Sequence, residues 1–262
     1  MSRDRTKSIE STSAGPVTVY RAGSGDPVVL LHGNGHSVHE FERSLPFLTS
    51  RFALIGWDMP GHGASNEADA ALSIDERASV LGEILERQAI GPAVLVGNSI
   101  GAFVAAALAA RAPERVKALL LVEMQVRPRA WWDAAWQLVD RMFGTPQQDF
   151  DTVQARLCSP LDADLLARWN SDRTRAGAGA MIAAMEAIRA HDVMATLAAL
   201  TVPTHFLFGE KGPAAECAPA ALDCVAHATS EIVPGAGHFV SIDQPAAFAA
   251  AVERAAQAQG DC

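Results

Sequence analysis

Hydrophobic residues occur along the chain in short, nearly continuous runs that alternate with longer segments of helical spacing. Such runs are typical of strands buried on both faces, and their alternation with helices is typical of a mostly parallel sheet. The runs predicted as strands are Val17–Tyr20, Val28–Leu31, Phe52–Trp57, Ala93–Val96, Ala118–Val122, Thr204–Phe208 and Glu231–Val233. We therefore predict an α/β fold with a mostly parallel, doubly wound sheet, covered by helices that include Ile74–Gln88 and Pro245–Gln257.

One long segment interrupts this alternation. Between residues 127 and 200 the sequence has no strand-like run, and its hydrophobic spacing predicts helices at Trp131–Phe143, Leu161–Trp169 and Gly179–Ala190. A stretch of this length without strands favours a helical insertion over a simple loop. We predict a core formed by residues 1–126 and 201–262 and an α-helical lid insertion formed by residues 127–200.

The predicted insertion is rich in aromatic and charged residues. Four of the five tryptophans lie in it, at Trp131, Trp132, Trp136 and Trp169. They are interpreted either as the ordinary core of a small helical unit or as the lining of an apolar acyl pocket. The insertion also holds eight arginines and nine aspartates and glutamates, which favours surface ion pairs over a site for a substrate anion.

The composition restricts the partners that the chain can have. Its 262 residues are 49% hydrophobic and 19% charged, with a formal net charge of −9, as in a globular protein. The negative charge argues against nucleic acid or an anionic membrane as the main partner, so a small molecule is expected. The four cysteines are scattered and the first residues lead into no apolar signal segment, which favours reduced thiols and a cytoplasmic location. The sequence leaves open whether the chain forms a homo-oligomer.

A serine lies where a predicted strand turns into a predicted helix. The segment Gly97-Asn98-Ser99-Ile100-Gly101 joins the run Ala93–Val96 to an alanine-rich helical run. A side chain at the tip of so sharp a turn has strained backbone angles, and the flanking glycines allow the strand and the helix to approach closely. This G-x-S-x-G pattern is typical of a nucleophile elbow, so Ser99 is the predicted nucleophile. An ordinary glycine-flanked turn would have the same pattern.

Three further motifs follow predicted strands. They are His32-Gly33-Asn34-Gly35, Asp58-Met59-Pro60-Gly61-His62-Gly63 and Gly235-Ala236-Gly237-His238-Phe239. Each lies where the carboxyl end of a strand opens into a loop, which is where open α/β sheets bind ligands. In this order and spacing, the four motifs resemble those of the α/β-hydrolase fold superfamily, and the resemblance covers the chain from about Val17 onward.

The resemblance implies catalytic roles for several loop residues. His238 matches the family's histidine loop and is expected to be the base that takes the proton of Ser99. The backbone N–H groups of Ile100 and Asn34 are expected to form the oxyanion hole.

Two of the other histidines, His32 and His62, are expected to be structural. The resemblance implies that His32 and His62 support their loops. The spacing of His32, His36 and His39 would suit a metal, but no cysteine or H-x-x-E-H pattern accompanies them. No metal and no cofactor is therefore expected.

The family's usual triad acid is missing from its position. That acid is an aspartate in a Gly-(Asp/Glu)-x-Asp segment after the next-to-last strand, and here the segment reads Gly209-Glu210-Lys211-Gly212. Glu123, at the end of the run Ala118–Val122, is the favoured substitute, because a buried strand end is a costly place for an unpaired carboxylate. Glu210, or no acid at all, remains an alternative.

The segment Val122-Glu123-Met124-Gln125 is similar to one in haloalkane dehalogenases and coelenterazine luciferases, which take their acid from this strand. Their nucleophile is an aspartate, whereas this chain has Ser99, so the resemblance implies the location of the acid and does not imply halide displacement. Asp58 and Asp243 are interpreted as caps of loops or of the helix that begins at Pro245.

These expectations predict a serine hydrolase that cleaves a carboxylic ester, lactone or thioester of a small molecule with an apolar acyl part. The same machinery serves hydrolases of carbon–carbon bonds and acyltransferases, and both remain open. The alternative outside the enzymes is a ligand-binding or regulatory protein with slow or no turnover. It is suggested by Gly212, which stands where the family usually has the triad acid.

Overall fold

An eight-stranded sheet forms the centre of the chain in the computed structural model, which describes residues 5–65 and 71–258. The strands are β1 (Thr6–Thr12), β2 (Gly15–Ala22), β3 (Asp26–Leu31), β4 (Phe52–Trp57), β5 (Ala93–Asn98), β6 (Val116–Val122), β7 (Thr204–Gly209) and β8 (Thr229–Val233). Their order across the sheet is β1-β2-β4-β3-β5-β6-β7-β8. The pairs β1–β2 and β2–β4 are antiparallel and the remaining pairs are parallel, which confirms the predicted mostly parallel sheet.

Each of the seven predicted strands is present, and the structure adds β1 at the sheet edge. Most residues of β1 are exposed and polar, so they lack the hydrophobic run by which the inner strands were recognised. An edge strand is buried on at most one face, and its sequence signal is correspondingly weak.

Helices cover both faces of the sheet. They are α1 (Leu45–Leu48), α2 (Ile74–Arg87), α3 (Ile100–Arg111), α4 (Arg129–Phe143), α5 (Phe150–Gln154), α6 (Ala163–Ala190), α7 (Val193–Ala198), α8 (Ala218–Cys224), α9 (Val240–Asp243) and α10 (Pro245–Gln257). Single turns of 3₁₀ helix lie at Val38–Phe41, Pro113–Arg115 and Ala215–Cys217. Among the described helices, none is both long and apolar enough to cross a lipid bilayer.

The inner strands have an apolar side chain on each face. In β3, Val29 and Leu31 pack into the layer that contains α2 and α3, whereas Val28 and Leu30 pack into the layer that contains α1 and α10. The two layers bury alternate residues of the same strand. This explains why the inner strands are continuous hydrophobic runs and do not alternate with polar residues.

Four helices, α4 to α7, lie between β6 and β7. Residues 123–203, all of them described, form helices and loops without a strand. The helices predicted at Leu161–Trp169 and Gly179–Ala190 correspond to the two parts of α6. A break at Gly177, whose φ of 69° is not helical, separates these parts. The division into a core and a helical lid insertion stays a prediction.

Candidate active site

Ser99 lies between β5 and α3 in a strained conformation. Its φ of 53° and ψ of −120° fall in a region that non-glycine residues rarely adopt, and its N–H donates to the Val122 carbonyl at 2.9 Å. A Cβ atom at Gly97 would collide with the Gly101 carbonyl, and one at Gly101 would collide with the Leu31 carbonyl. The backbone of the turn is therefore packed so closely that both positions require glycine.

His238 lies in the loop after β8, next to the buried carboxylate of Glu123. Its Nδ1 is 3.2 Å from Glu123 Oε2, and its side chain is 12% exposed. Glu123 directly follows β6, and its side chain is completely buried. Backbone N–H groups of Gly209 and Ala214 donate to Oε1 and Oε2 at 2.8 and 3.3 Å. These hydrogen bonds offset part of the cost of burying the carboxylate.

The structure brings Glu123 to the histidine, and it places Glu210 elsewhere. A Cβ atom at Gly212 would collide with the Glu123 carboxylate, so Gly212 leaves the space that this carboxylate occupies. Glu210 is exposed, and its Oε2 accepts a hydrogen bond from the Gly235 N–H at 3.0 Å. Glu210 thus stabilises the turn that leads to the histidine loop.

The loop that begins at Gly33 lies beside Ser99. A Cβ atom at Gly33 would be 3.6 Å from Ser99 Cβ. The Asn34 side chain is used in structural contacts, since Nδ2 donates to the Met181 carbonyl at 2.8 Å and Oδ1 lies 3.0 Å from His62 Nε2. Ile100 is the first residue of α3, so its N–H is at the positive end of that helix. The oxyanion hole at Asn34 and Ile100 stays a prediction.

A cavity of about 450 Å³ lies between the sheet and the helices α4 and α6, and both Ser99 and His238 line it. A volume of this size suits a small molecule. Its apolar wall is formed mainly by residues of α4 and α6, namely Trp131, Trp132, Leu138, Val139, Met142, Phe143, Met185 and Ile188.

The four tryptophans of residues 127–200 divide between the two interpretations. Trp131 and Trp132 line the cavity. Trp169 instead packs in a separate buried cluster with Phe239, with ring centroids 4.9 Å apart, and Trp136 lies under the Arg189 guanidinium. Some of the tryptophans therefore line the cavity and others belong to the ordinary core, so each interpretation holds for part of them.

Residues 26–245 match the family model described as the alpha/beta hydrolase fold. The chain belongs to this family. The resemblance expected from the four motifs is thereby confirmed, and the protein is a hydrolase with the cavity described above.

Several known proteins are similar to this hydrolase. A 3-oxoadipate enol-lactonase 2 of Acinetobacter baylyi is 24% identical over 241 residues, which cover 88% of this chain and 89% of that protein. A pimeloyl-(acyl-carrier protein) methyl ester esterase of Neisseria meningitidis is 31% identical over 195 residues, which cover 70% of this chain and 74% of that protein. The first is named as a lactonase and the second as a methyl ester esterase.

Solved structures show the same fold. A hydrolase from Pseudomonas aeruginosa superposes with a TM-score of 0.81 at 22% identity, covering 96% of this chain and 98% of that one. An E-2-(acetamidomethylene)succinate hydrolase superposes with a TM-score of 0.81 at 20% identity, covering 97% of this chain and 100% of that one. At these identities the likeness establishes the fold alone.

Two buried histidines of this hydrolase, His32 and His62, make structural hydrogen bonds. Met59 N–H donates to His32 Nε2 at 2.9 Å, so the proton of His32 is on Nδ1, which lies 2.8 Å from the Gly33 carbonyl. Burial lowers the pKa of His32 and of His62. Both rings are therefore neutral near pH 7 and hold loops together.

The sequence did not reveal that two carboxyl groups, those of Glu40 and Asp243, lie near the site. Glu40 is buried, its Oε2 accepts a hydrogen bond from the Gly33 N–H at 2.8 Å, and burial raises its pKa to about 8. Asp243 does not cap the helix at Pro245, because its Oδ2 accepts from the Gly237 N–H and its Oδ1 from the Cys158 and Ser159 N–H groups.

No local pattern distinguishes either carboxyl group from a surface residue, since both lie on single turns whose packing depends on distant segments. Glu40 supports the loop beside Ser99, and Asp243 links the histidine loop to the segment before α6. The interpretation of Asp58 as a loop residue agrees with its bonds, since Oδ1 accepts from Val38 N–H and Oδ2 from Ala64 N–H.

Proposed function

We propose that this enzyme is a serine hydrolase that cleaves a carboxylic ester, lactone or thioester through an acyl-enzyme intermediate. The observation that supports this most is the 3.2 Å contact between His238 Nδ1 and Glu123 Oε2, beside the cavity that Ser99 and His238 share. A histidine held by a carboxylate next to an elbow serine is the arrangement that activates a hydroxyl group for nucleophilic attack.

The proposed reaction assigns one role to each residue. His238 Nε2 takes the proton of the Ser99 hydroxyl as its Oγ attacks the substrate carbonyl, and the same nitrogen returns the proton to the leaving alcohol or thiol. Glu123 keeps the proton of the ring on Nδ1 and stabilises the imidazolium. Water, deprotonated by His238, then attacks the acyl-enzyme, which releases the carboxylic acid and regenerates Ser99.

Backbone N–H groups stabilise the negative charge of the tetrahedral intermediate in this proposal. The donors are those of Ile100, at the N-terminus of α3, and of Asn34, in the loop beside Ser99. Glu40 and His62 position this loop through the Gly33 N–H and the Asn34 side chain. Preorganised donors of this kind contribute roughly 3–4 kcal/mol each to catalysis in well-studied hydrolases.

The relatives support an ester or lactone as the bond that is cleaved, because one is a lactonase and another a methyl ester esterase. The apolar wall of the cavity supports a small substrate with an apolar acyl part. Carbon–carbon bond hydrolysis and acyl transfer would use the same residues, so substrate tests decide between them. We expect the reaction to take place in the cytoplasm, as the cysteine pattern predicts, with residues 127–200 acting as the lid.

The binding-protein alternative loses its motivation. It depended on the absence of an acid at Gly212, and the space beside Gly212 is filled by the Glu123 carboxylate, which contacts His238. The buried Glu123 carboxylate is held by two backbone N–H groups beside His238, which supports a role in catalysis. We therefore favour turnover.

Labelling with a fluorophosphonate probe tests the proposal directly. We expect stoichiometric modification that peptide mapping places on Ser99, together with turnover of p-nitrophenyl esters or lactones. Ser99→Ala should lose both labelling and turnover, whereas Ser230→Ala, at an exposed serine of β8, should keep both. Folded protein that neither reacts with the probe nor hydrolyses any ester or lactone would refute the proposal of a serine hydrolase. The hypothesis of a ligand-binding protein would then be favoured.

A further inference from the structure

The cavity beside Ser99 is lined by two cationic side chains, Arg156 and Lys211, and by no aspartate or glutamate among the described residues. This contrasts with the chain as a whole, whose formal net charge is −9. Lys211 is exposed, so it lies at the cavity mouth, whereas Arg156 is partly buried. The cavity is therefore positively charged in a protein that is otherwise acidic.

Arg156 has an unsatisfied guanidinium group. Its Nη1 is buried and has no hydrogen-bond partner among the described residues. The guanidinium carbon lies 5.0 Å from the Trp169 ring centroid and 5.2 Å from that of Phe239, so the aromatic rings hold it in place. A buried N–H donor without a partner is costly, and it is uncommon in folded proteins.

Several other arginines between residues 127 and 200 have at least one ion-pair or carbonyl partner, although Arg127 Nε and Arg173 Nη1 are also buried without a hydrogen-bond partner among the described residues. Arg127, Arg129, Arg168 and Arg189 are ion-paired with Glu216, Asp133, Glu42 and Asp133, respectively. Arg173 donates to the carbonyls of Met142, Thr145 and Pro146. The surface ion pairs expected from the composition thus account for several of the eight arginines, but not for Arg156.

No carboxylate of residues 5–65 or 71–258 forms an ion pair with Arg156. Burial and the positive charge of Arg173 lower the pKa of Arg156 to about 9, so it is still protonated at neutral pH. Glu40 favours the charged form of Arg156, but burial raises the pKa of Glu40 to about 8, so this carboxyl is mostly neutral at pH 7. The positive charge is left for a ligand.

The backbone of Arg156 lies beside the histidine loop, because its carbonyl oxygen would be 3.0 Å from a Cβ atom at Gly237, the residue before His238. Arg156, Ser99 and His238 line the same cavity, so a ligand group bound by Arg156 would share that cavity with the reacting groups. Arginine binds carboxylates through two parallel hydrogen bonds, which makes it suitable for recognising such a group.

We infer that Arg156 binds an anionic group of the substrate, and that the natural substrate is an ester, lactone or thioester which also carries a free carboxylate. The inference rests on the proposed function, because it names the substrate class of the same site. Lys211 attracts the anion at the cavity mouth, and the apolar wall of α4 and α6 contacts the hydrocarbon part.

Two substrates that differ only at one carboxyl group, which is free in one and methylated in the other, test this inference. The probe pair is p-nitrophenyl hydrogen adipate, which has a free carboxylate, and its neutral methyl ester, with spontaneous hydrolysis subtracted. We expect the wild-type enzyme to favour the anionic ester in kcat/KM by at least about tenfold, as a charged hydrogen bond allows. Arg156→Gln should lower this ratio about 10- to 100-fold, and Arg156→Lys should retain part of the preference.

Arg175→Gln is the matched control, since Arg175 is an exposed arginine of α6 that does not line the cavity. It should leave the rates with both esters and their ratio unchanged. If Arg156→Gln is insoluble, the wild-type ratio and the Arg156→Lys variant still answer the question.

The two proposals fail in different ways. Hydrolysis of both esters at Ser99 with a wild-type ratio near one, or with the same ratio in wild type and Arg156→Gln, would overturn the anionic substrate and leave the serine hydrolase intact. Absence of hydrolysis of both esters, together with absence of Ser99 labelling, would overturn the proposed function and the substrate inference with it.

Discussion

The carboxylate of Glu123 occupies the place that a side chain at Gly212 would need. A Cβ atom added at Gly212 would collide with both carboxylate oxygens of Glu123, although the two residues follow different strands, β6 and β7. Because parallel strands end at the same edge of the sheet, the ends of β6 and β7 both approach His238. Only one of the two positions can therefore hold a carboxylate beside the histidine.

Glu123→Gln is expected to lower kcat by at least about a hundredfold, because a neutral amide neither holds the imidazole in the required tautomer nor stabilises the imidazolium. Steady-state hydrolysis of a p-nitrophenyl ester measures this effect. Glu210→Gln is the matched control and should change kcat little, since Glu210 is exposed and bonds only the turn at Gly235. Small and equal losses in the two variants would contradict the role of Glu123.

A side chain at position 212 and the Glu123 carboxylate would occupy the same space. We therefore predict that the acid can be moved from position 123 to position 212. Gly212→Asp alone should lower both kcat and the melting temperature, because two carboxylates would compete for one buried space. Glu123→Gly suits the positive φ of 49° at that position and empties the space.

The double variant Glu123→Gly with Gly212→Asp should then recover at least about tenfold in kcat over Glu123→Gly alone, because an aspartate again faces His238. Steady-state kinetics of the four proteins in the cycle measure the coupling. Additive losses in the double variant would show that the two positions do not share one function.

Gly97→Ala is expected to destabilise the fold by at least about 2 kcal/mol, because the new methyl group would overlap the Gly101 carbonyl at the elbow. Urea unfolding monitored by circular dichroism measures the change in the free energy of unfolding. Gly91→Ala is the control, since no atom lies within 4 Å of a Cβ atom there, and its effect should stay within about 0.5 kcal/mol. A Gly97→Ala protein as stable as Gly91→Ala would contradict the close packing of the turn.

Glu40 is expected to make stability depend on pH. Its pKa is raised from 4.5 to about 8 in the folded state, so the native protein keeps a proton that the unfolded chain releases between these values. The stability from this group is fully present below about pH 4.5 and is lost as the pH rises through 8.

Glu40→Gln has no titrating carboxyl, and its side-chain carbonyl can still accept from Gly33 N–H. Its free energy of unfolding relative to wild type should therefore rise between pH 5 and pH 8, by up to about 1.4 kcal/mol per pH unit, and then level off. Urea unfolding at several pH values measures this, with Glu114→Gln at an exposed glutamate as the control. A constant difference from pH 5 to pH 9 would refute the raised pKa.

The hydrophobic pattern alone predicted seven of the eight strands, namely the six inner strands and the edge strand β8. The inner strands were readable because a strand buried on both faces is apolar at nearly every position. Val28–Leu31 illustrates this, since its alternate residues enter the two helical layers on opposite sides of the sheet. The elbow at Ser99 was equally visible, because its strained turn requires glycine at the neighbouring positions 97 and 101. Constraints that act between residues close in the chain leave a readable local pattern.

The choice of acid and the charge of the cavity depended on the tertiary structure. From the sequence, Glu123 and Glu210 were both candidates, and their difference became visible only when β6 and β7 ended side by side at His238. Likewise, Arg156 is one of eight arginines in its region, and only the tertiary structure places it against Trp169 and Phe239 with a buried Nη1 that has no partner among the described residues. The physical reason is that burial and pairing are set by residues far apart in the chain, so the sequence determines the fold and the elbow turn at Ser99, whereas the packed structure decides which charges meet.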